Sequence, residues 1–244
     1  MEDQNSNNRN IKTFENEAVK ETDKSIIVFG AHSDDQVFGA GGTIAKYHQL
    51  GYTVIAIIMT HGEKSHPWLR KEPLAKIRMS ESHKAAKILG IKKTIFYDFD
   101  EDRILVSYQE DASLQEELEK TIAYYRPLKI FVHSDEDSHP SHRQVNQVAR
   151  EAYNNAREKD REWKSEIYTY DIWTIAHFKR RARTWVYIDV TKHHEKKIKA
   201  LKVFKSQKIA LYTLWLSVYA KAFVYGLMSR YKYAERFSKE NWDN

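Results

Sequence analysis

The sequence contains no cysteine among its 244 residues. This absence excludes disulfide bonds and thiolate metal sites, so any bound metal must take its ligands from His, Asp or Glu. No internal repeat or low-complexity segment is present. Hydrophobic residues make up 41% of the chain and charged residues 30%, which predicts a soluble protein with a sizeable core.

A signal peptide and an uninterrupted membrane span are also missing. Residues 1–24 are polar and are predicted to form a loose tail, and residues 25–244 are predicted to form one domain. We therefore expect a cytoplasmic protein. The most apolar stretch, residues 209–228, is interrupted by Lys221 and rich in aromatic residues, so a buried or interfacial helix is favoured over a span. Whether it meets lipid or another subunit of a homo-oligomer is left open.

The net charge of +6 is unevenly distributed. Eleven Lys or Arg residues lie between positions 179 and 208, a density typical of a solvated helix face or, less commonly, of an anion-facing surface. The run lacks glycine and regularly interleaved aromatics. We therefore expect no nucleic-acid partner.

Strand-like and helix-like segments alternate along the chain. Short β-branched runs predict buried strands at 25–29, 53–59, 94–97 and 128–133, with further strands at 167–174 and 185–190. Helical spacing begins after Gly41 and Gly42 and recurs at 73–89, 113–125 and 142–159, with two more helices closing the chain. Ser113 and Glu116 are interpreted as a capping box. This order predicts an α/β fold with a mostly parallel sheet and helices on both faces.

Two polar clusters follow the first and fourth predicted strands. They read AHSDDQ at 31–36 and HSDEDSHPSHR at 133–143, so both fall at the carboxyl edge of the sheet, where open α/β sheets place their active sites. Imidazole and carboxylate groups suit Zn²⁺ or Fe²⁺. His32, Asp35 and His142 would supply three ligands and leave a position for water, with Asp34 as general base. Alternatively, Asp34 or Asp35 could cap a helix, and His139 and His142 could be ordinary surface residues at a helix start.

The chain resembles the LmbE-like, or PIG-L, zinc deacetylases over nearly its whole length after residue 24. The family signature H-P-D-D-E corresponds to HSDDQ at 32–36, and H-P-D-H corresponds to HPSH at 139–142. Further matches are GGTIAKY at 41–47, THGE at 60–63, RMSESHKAAKILG at 78–90, the segment 186–207 and AERF at 234–237.

The resemblance implies a Rossmann-like fold and hydrolysis of the N-acetyl group of N-acetylglucosamine units. By position it implies zinc binding by His32, Asp35 and His142, with Asp34 as the base. It implies that His139 stabilises the oxyanion and can also protonate the leaving amine, and that Arg78 binds the sugar. The expected partner is therefore a small N-acetylated sugar, with loops 61–72 and 98–112 lining its cleft.

Three positions depart from the signatures: Ser33 replaces Pro, Gln36 replaces Glu, and Ser141 replaces Asp. The Asp lost at 141 would orient His139, and Asp135, Glu136 or Asp137 could compensate. These departures motivate one rival hypothesis, a non-catalytic binding protein that retains the fold. A second rival is a 2-His-1-carboxylate iron oxygenase, in which Asp34 rather than Asp35 would be the ligand.

Overall fold

The computed structural model describes residues 24–60, 71–158, 160–172 and 183–242, without the side chains of 71–72 and 207–215. Several sequence expectations fall wholly or partly outside these residues. The residues outside the description are 1–23 of the predicted tail, 61–63 of the THGE match, 61–70 of the predicted loop 61–72, 173–174 of the fifth predicted strand, and 179–182 of the basic run.

Seven strands form one mostly parallel sheet. They span Ser25–Gly30 (β1), Thr53–Ile58 (β2), Lys93–Phe96 (β3), Lys129–His133 (β4), Glu166–Tyr170 (β5), Thr184–Asp189 (β6) and Ala234–Glu240 (β7). Their order is β3-β2-β1-β4-β5-β7-β6. The first five are parallel, and β7 lies antiparallel between β5 and β6. The predicted α/β fold is thus confirmed, with an antiparallel end that the sequence analysis did not predict.

Helices cover both faces of this sheet. They span Asp35–Gln49 (α1), Lys71–Leu89 (α2), Ile104–Glu110 (α3), Ala112–Tyr125 (α4), Pro140–Ala156 (α5), His194–Leu201 (α6) and Lys208–Ser229 (α7). Alternate residues of the interior strand β1 enter two separate cores. Ile26 and Val28 pack towards α1, α2 and α6, whereas Ile27 and Phe29 pack towards α3, α4 and α5. All four side chains are fully buried, as expected for a parallel strand covered on both faces.

Helix α1 begins earlier than predicted, at Asp35, and is kinked at Ala40 (φ −137°, ψ 16°). The predicted helical spacing after Gly42 corresponds to its second half. There Glu235 accepts hydrogen bonds from the backbone N–H groups of Gly42 (2.9 Å) and Thr43 (2.7 Å). The kink frees these donors, and the carboxylate of the last strand satisfies them.

Other boundaries also differ from prediction. The expected loop 98–112 contains α3, and α4 is capped by Asp111, whose carboxylate accepts from the N–H groups of Ser113 and Leu114. Ser113 is therefore not the N-cap. Helix α5 begins at Pro140, two residues early, since its missing N–H suits the first helical position. The chain's last regular element is β7 rather than a helix. Among the described residues, no helix is long and apolar enough to cross a membrane.

Candidate metal centre

Three of the predicted site residues converge where the chain order of the sheet reverses. The strands β1 and β4 are neighbours, but β1 continues to β2 on one side and β4 to β5 on the other. His32 and Asp35 follow β1, and His142 lies in the first turn of α5, beyond β4. A crevice forms at such a switch point because the connections on its two sides leave towards opposite faces.

The ligand atoms of these three residues have the spacing of a metal site. Asp35 Oδ2 lies 3.3 Å from His32 Nδ1 and 3.4 Å from His142 Nε2. Atoms placed tetrahedrally about an ion, each about 2.0–2.1 Å from it, are about 3.3–3.4 Å apart. The cluster is buried except for His32, whose side chain is 15% exposed. The donor set and its spacing therefore fit a divalent metal with access from one side.

Each histidine of the cluster contacts a second carboxylate through its other ring nitrogen. His142 Nδ1 lies 3.1 Å from Asp137 Oδ1, and His32 Nε2 lies 2.9 Å from Glu101 Oε1. Such outer carboxylates fix the tautomer and the orientation of metal-binding imidazoles. Neither Asp137 nor Glu101 was singled out for this role from the sequence.

The Asp34 carboxylate is buried but takes no part in capping α1, although Asp34 occupies the N-cap position. Burial and repulsion from Asp35 raise its pKa to about 7, against the opposing effects of His32 and Arg78. A carboxylate with this pKa can accept a proton near neutral pH. The capping alternative therefore does not account for this side chain.

The charges around Asp35 make metal binding depend on pH. Burial alone would lower the pKa of His32, but Asp35 and Glu101 raise it to about 10. The pKa of Asp35 is held well below its usual range, because the nearby histidines outweigh the effect of its burial. Binding of a metal through His32 must therefore release a proton, so affinity rises with pH.

His133, the last residue of β4, is a further member of the cluster. It is fully buried, its Nε2 lies 3.2 Å from Asp35 Oδ2 and accepts a hydrogen bond from Ala31 N–H at 3.1 Å, and its ring stacks on His142. Burial and the charge of His142 lower its pKa to about 4, so the ring is neutral. With Asp137 and His142 it forms a second, wholly buried group of potential ligands. The His133 and His142 rings pack face to face, with their centroids 3.8 Å apart and their planes at 17°.

His139 lies beside this cluster, with its ring centroid 5.3 Å from that of His32 and 4.7 Å from that of His142. Its Nδ1 is 2.7 Å from the hydroxyl of Ser141. Of the three acidic residues considered as substitutes, Asp135 and Glu136 bind Arg183, and Asp137 accepts a hydrogen bond from the His139 backbone N–H. Ser141 itself thus occupies the position of the ring's partner.

The remaining predicted residues border the cluster. Arg78 lies within α2 and is almost fully buried, and burial lowers its pKa against the charges of Asp34, Glu101 and Glu81. Gln36 donates to the carbonyl oxygen of Ser33 (3.0 Å) and to the hydroxyl of Ser82 (3.3 Å). The amide thereby ties the β1–α1 connection to α2, a donor role that the family's glutamate could not fill.

Comparison with known proteins identifies the family. The family described as PIG-L, GlcNAc-PI de-N-acetylase, matches residues 27–153, more than half of the chain and all six predicted site residues. The chain belongs to this family. A diacetylchitobiose deacetylase of Thermococcus kodakarensis is 26% identical over 87% of this chain and 81% of its own length. The uncharacterized deacetylase YaiS of Escherichia coli is 29% identical over 52% of this chain, and the match spans 66% of YaiS.

Solved structures share the fold. An N,N'-diacetylchitobiose deacetylase from Pyrococcus horikoshii superimposes with a TM-score of 0.72 at 24% identity, covering 90% of this chain and 84% of that one. GalB, the 4-carboxy-2-hydroxymuconate hydratase of Pseudomonas putida, superimposes with a TM-score of 0.74 at 21% identity, covering 89% and 96%. Because one of these proteins is named a deacetylase and the other a hydratase, the fold alone does not decide the reaction.

Proposed function

We propose that the protein is a zinc-dependent deacetylase that removes the acetyl group from an N-acetylglucosamine-type sugar or conjugate. The observation that carries the proposal is the spacing of His32, Asp35 and His142 as ligands beside a buried carboxylate, Asp34, that has no capping role. Membership of the PIG-L family and the names of the relatives support the choice of an N-acetylated sugar.

The residues divide the chemistry between them. Zinc, when bound, supplies Lewis acidity and lowers the pKa of the attacking water. Asp34 takes the proton of that water, for which its pKa of about 7 is suited. His139 stabilises the developing oxyanion or donates a proton to the leaving amine, and Ser141 holds its Nδ1. Arg78 contacts the sugar at the border of the cluster.

Two neighbouring variants test this division. Asp34→Asn keeps the shape of the side chain and removes the base, so we expect full zinc content and turnover about 10²–10⁴-fold lower, about 3–5 kcal/mol of barrier. Asp35→Asn should instead lose zinc, because a neutral amide is a poor ligand for a divalent cation. The measurements are metal content by mass spectrometry and acetate release from N-acetylglucosamine and N,N'-diacetylchitobiose.

The same pair separates the rival hypotheses. An iron oxygenase with Asp34 as ligand predicts metal loss in Asp34→Asn and retention in Asp35→Asn. A non-catalytic protein predicts a wild type that binds zinc and releases no acetate from any N-acetylated sugar. Reconstitution with Fe²⁺ in place of Zn²⁺ tests the choice of metal, since the same His and Asp donors also suit Fe²⁺.

A further inference from the structure

Helix α7 presents an apolar surface to solvent, at the antiparallel end of the sheet. This α7 stripe consists of seven exposed large side chains: Leu216, Tyr219, Phe223, Val224, Leu227, Met228 and, just beyond the helix, Tyr231. Leu216 is 77% exposed, Leu227 63% and Met228 60%. Large apolar side chains occur singly on most protein surfaces, but a continuous row indicates an interaction site.

The opposite face of α7 already contacts the rest of the protein. Val218 and Ala222 are buried, and Lys221 donates a hydrogen bond to the carbonyl oxygen of Ile172 at 2.9 Å. Near the C-terminal end, Gly226 allows the chain to fold back closely, with Tyr231 N–H donating to Gly226 O at 2.8 Å. The helix is therefore docked in a defined orientation, and the exposed stripe is its second apolar face.

The stripe has the spacing of a helix–helix seam. Leu216, Ala220, Phe223 and Leu227 follow one another at intervals of four, three and four residues, the alternation that keeps side chains on one side of paired helices. Between residues 216 and 229 the only charged residue is Lys221, which is directed inward to Ile172. Surface helices that face solvent normally carry charges on this side.

We propose that the α7 stripe is the interface between two copies of this chain. Its side chains, exposed by 36–77%, present roughly 700 Å² of apolar surface, close to the about 800 Å² that each partner buries in a stable interface. A two-fold pairing brings the same surface from both chains together, and the stripe is complementary to itself because it is uniformly apolar.

Charge selects an antiparallel arrangement of the two helices. Arg230 and Lys232 lie at one end of the stripe, so parallel helices would bring four cations together, whereas antiparallel helices place the two pairs at opposite ends. The two-fold axis then passes the middle of the stripe, near Phe223 and Val224. Tyr219 of one chain then lies opposite Met228 of its partner, and Ala220 lies opposite Leu227.

The alternative partner for the α7 stripe is a lipid membrane surface. Interfacial helices bind membranes through an apolar face bordered by Lys and Arg along its length. In α7, the inward direction of Lys221 leaves the part of the stripe from 216 to 229 without such a border. The charge pattern therefore favours a protein partner with the same apolar surface.

The absence of cysteine from the 244-residue chain allows a direct test. A single Val224→Cys substitution can form a disulfide only between chains, and its position near the axis brings the two thiols together. We expect oxidation to convert most of this variant to a covalent dimer. Leu50→Cys is the matched control, because Leu50 is 60% exposed and lies outside the stripe, and it should remain monomeric on denaturing gels.

Analytical ultracentrifugation provides an independent measurement. The wild type should sediment as a dimer, and Phe223→Glu or Leu227→Glu should weaken dimerisation on the order of 100-fold, since each substitution is present twice at the interface. Leu50→Glu should have no effect on dimerisation, and all three variants should keep the far-UV circular dichroism spectrum of the wild type because the substituted side chains are exposed in the single chain. A monomeric wild type would overturn the proposal. So would a dimer unaffected by these substitutions, or binding of the wild type to phosphatidylglycerol vesicles that Leu227→Glu abolishes while the protein remains monomeric.

Discussion

The two histidines proposed as metal ligands, His32 and His142, are supported by the protein in different ways. His142 and its outer partner Asp137 are both fully buried, and Asp137 also accepts hydrogen bonds from His139 N–H and Ile172 N–H, both at 3.0 Å. His32 and its partner Glu101 are each 15% exposed, and Glu101 comes from the β3–α3 connection, 69 residues away. One ligand is thus held by a rigid network, whereas the other lies at the open side of the cleft.

This difference predicts that substitutions on the buried side of the site, around His142, reduce zinc affinity and stability more than substitutions on the open side, around His32. Asp137→Ala removes the partner of His142 and leaves two backbone donors unsatisfied, the buried Ile172 N–H and the partly buried His139 N–H. We expect zinc affinity to fall about 10- to 100-fold and the free energy of unfolding to fall by about 3 kcal/mol. Chelator competition and urea denaturation measure the two effects. Asp135→Ala is the control because Asp135 is exposed, and equal zinc affinity in Asp137→Ala and the wild type would contradict the proposed orienting role.

Glu101→Gln tests the open side and should have a smaller effect. The amide can still meet His32 Nε2 but carries no charge, so we expect zinc affinity to fall about tenfold at most. The free energy of unfolding should change by less than about 0.5 kcal/mol. Asp102→Asn, on the neighbouring exposed residue, is the control. Unchanged zinc affinity with a raised KM would assign Glu101 to the substrate instead of to His32.

We expect the smallest effect at Ser141. Its hydroxyl contacts the ring of His139, which lies near both His32 and His142. Burial and the charges of His142 and His32 lower the pKa of His139. If His139 acts as a protonated acid, Ser141→Asp places a carboxylate beside the imidazolium and raises that pKa. The protonated form then persists to higher pH, so the alkaline limb of the pH–rate profile should move upward by about one unit. Ser141→Asn, which adds no charge, should leave the limb in place, and a downward shift in Ser141→Asp would exclude this role.

The parallel part of the fold could be predicted from the sequence because the patterns that mark its strands and helices are local. Buried strands read as β-branched runs, and the polar clusters directly follow β1 and β4. The start of α1 was missed because its glycines disfavour a helix. Tertiary contacts require them: a Cβ on Gly39 would lie 2.2 Å from the Tyr170 ring, and one on Gly42 would lie 2.8 Å from Val190. Packing therefore overrides propensity in this segment.

The outer partners of the site had no comparable local signal. Glu101 reaches His32 from another connection, and Asp137 is one of three acidic residues in a row whose roles depend on their burial. His133 could have been identified, because a histidine that ends a buried strand at the carboxyl edge necessarily lies near the cluster. The antiparallel β7 was missed because AERF was interpreted only as a motif, and because the apolar residues of 234–240, Ala234 and Phe237, lie three positions apart and so do not alternate as in a typical strand.

Glu235 affects the order in which the parts of the site form as the chain folds. The family-matched segment, residues 27–153, carries every proposed ligand and catalytic residue, yet the second half of α1 depends on a carboxylate 193 residues further along the chain. Glu235 also binds Lys197 Nζ at 2.7 Å, which links α6 to the same contact. Closing so long a loop costs entropy and is slow compared with local pairing. During synthesis, the helix that follows the metal ligands therefore acquires its cap only when the last strand has emerged from the ribosome.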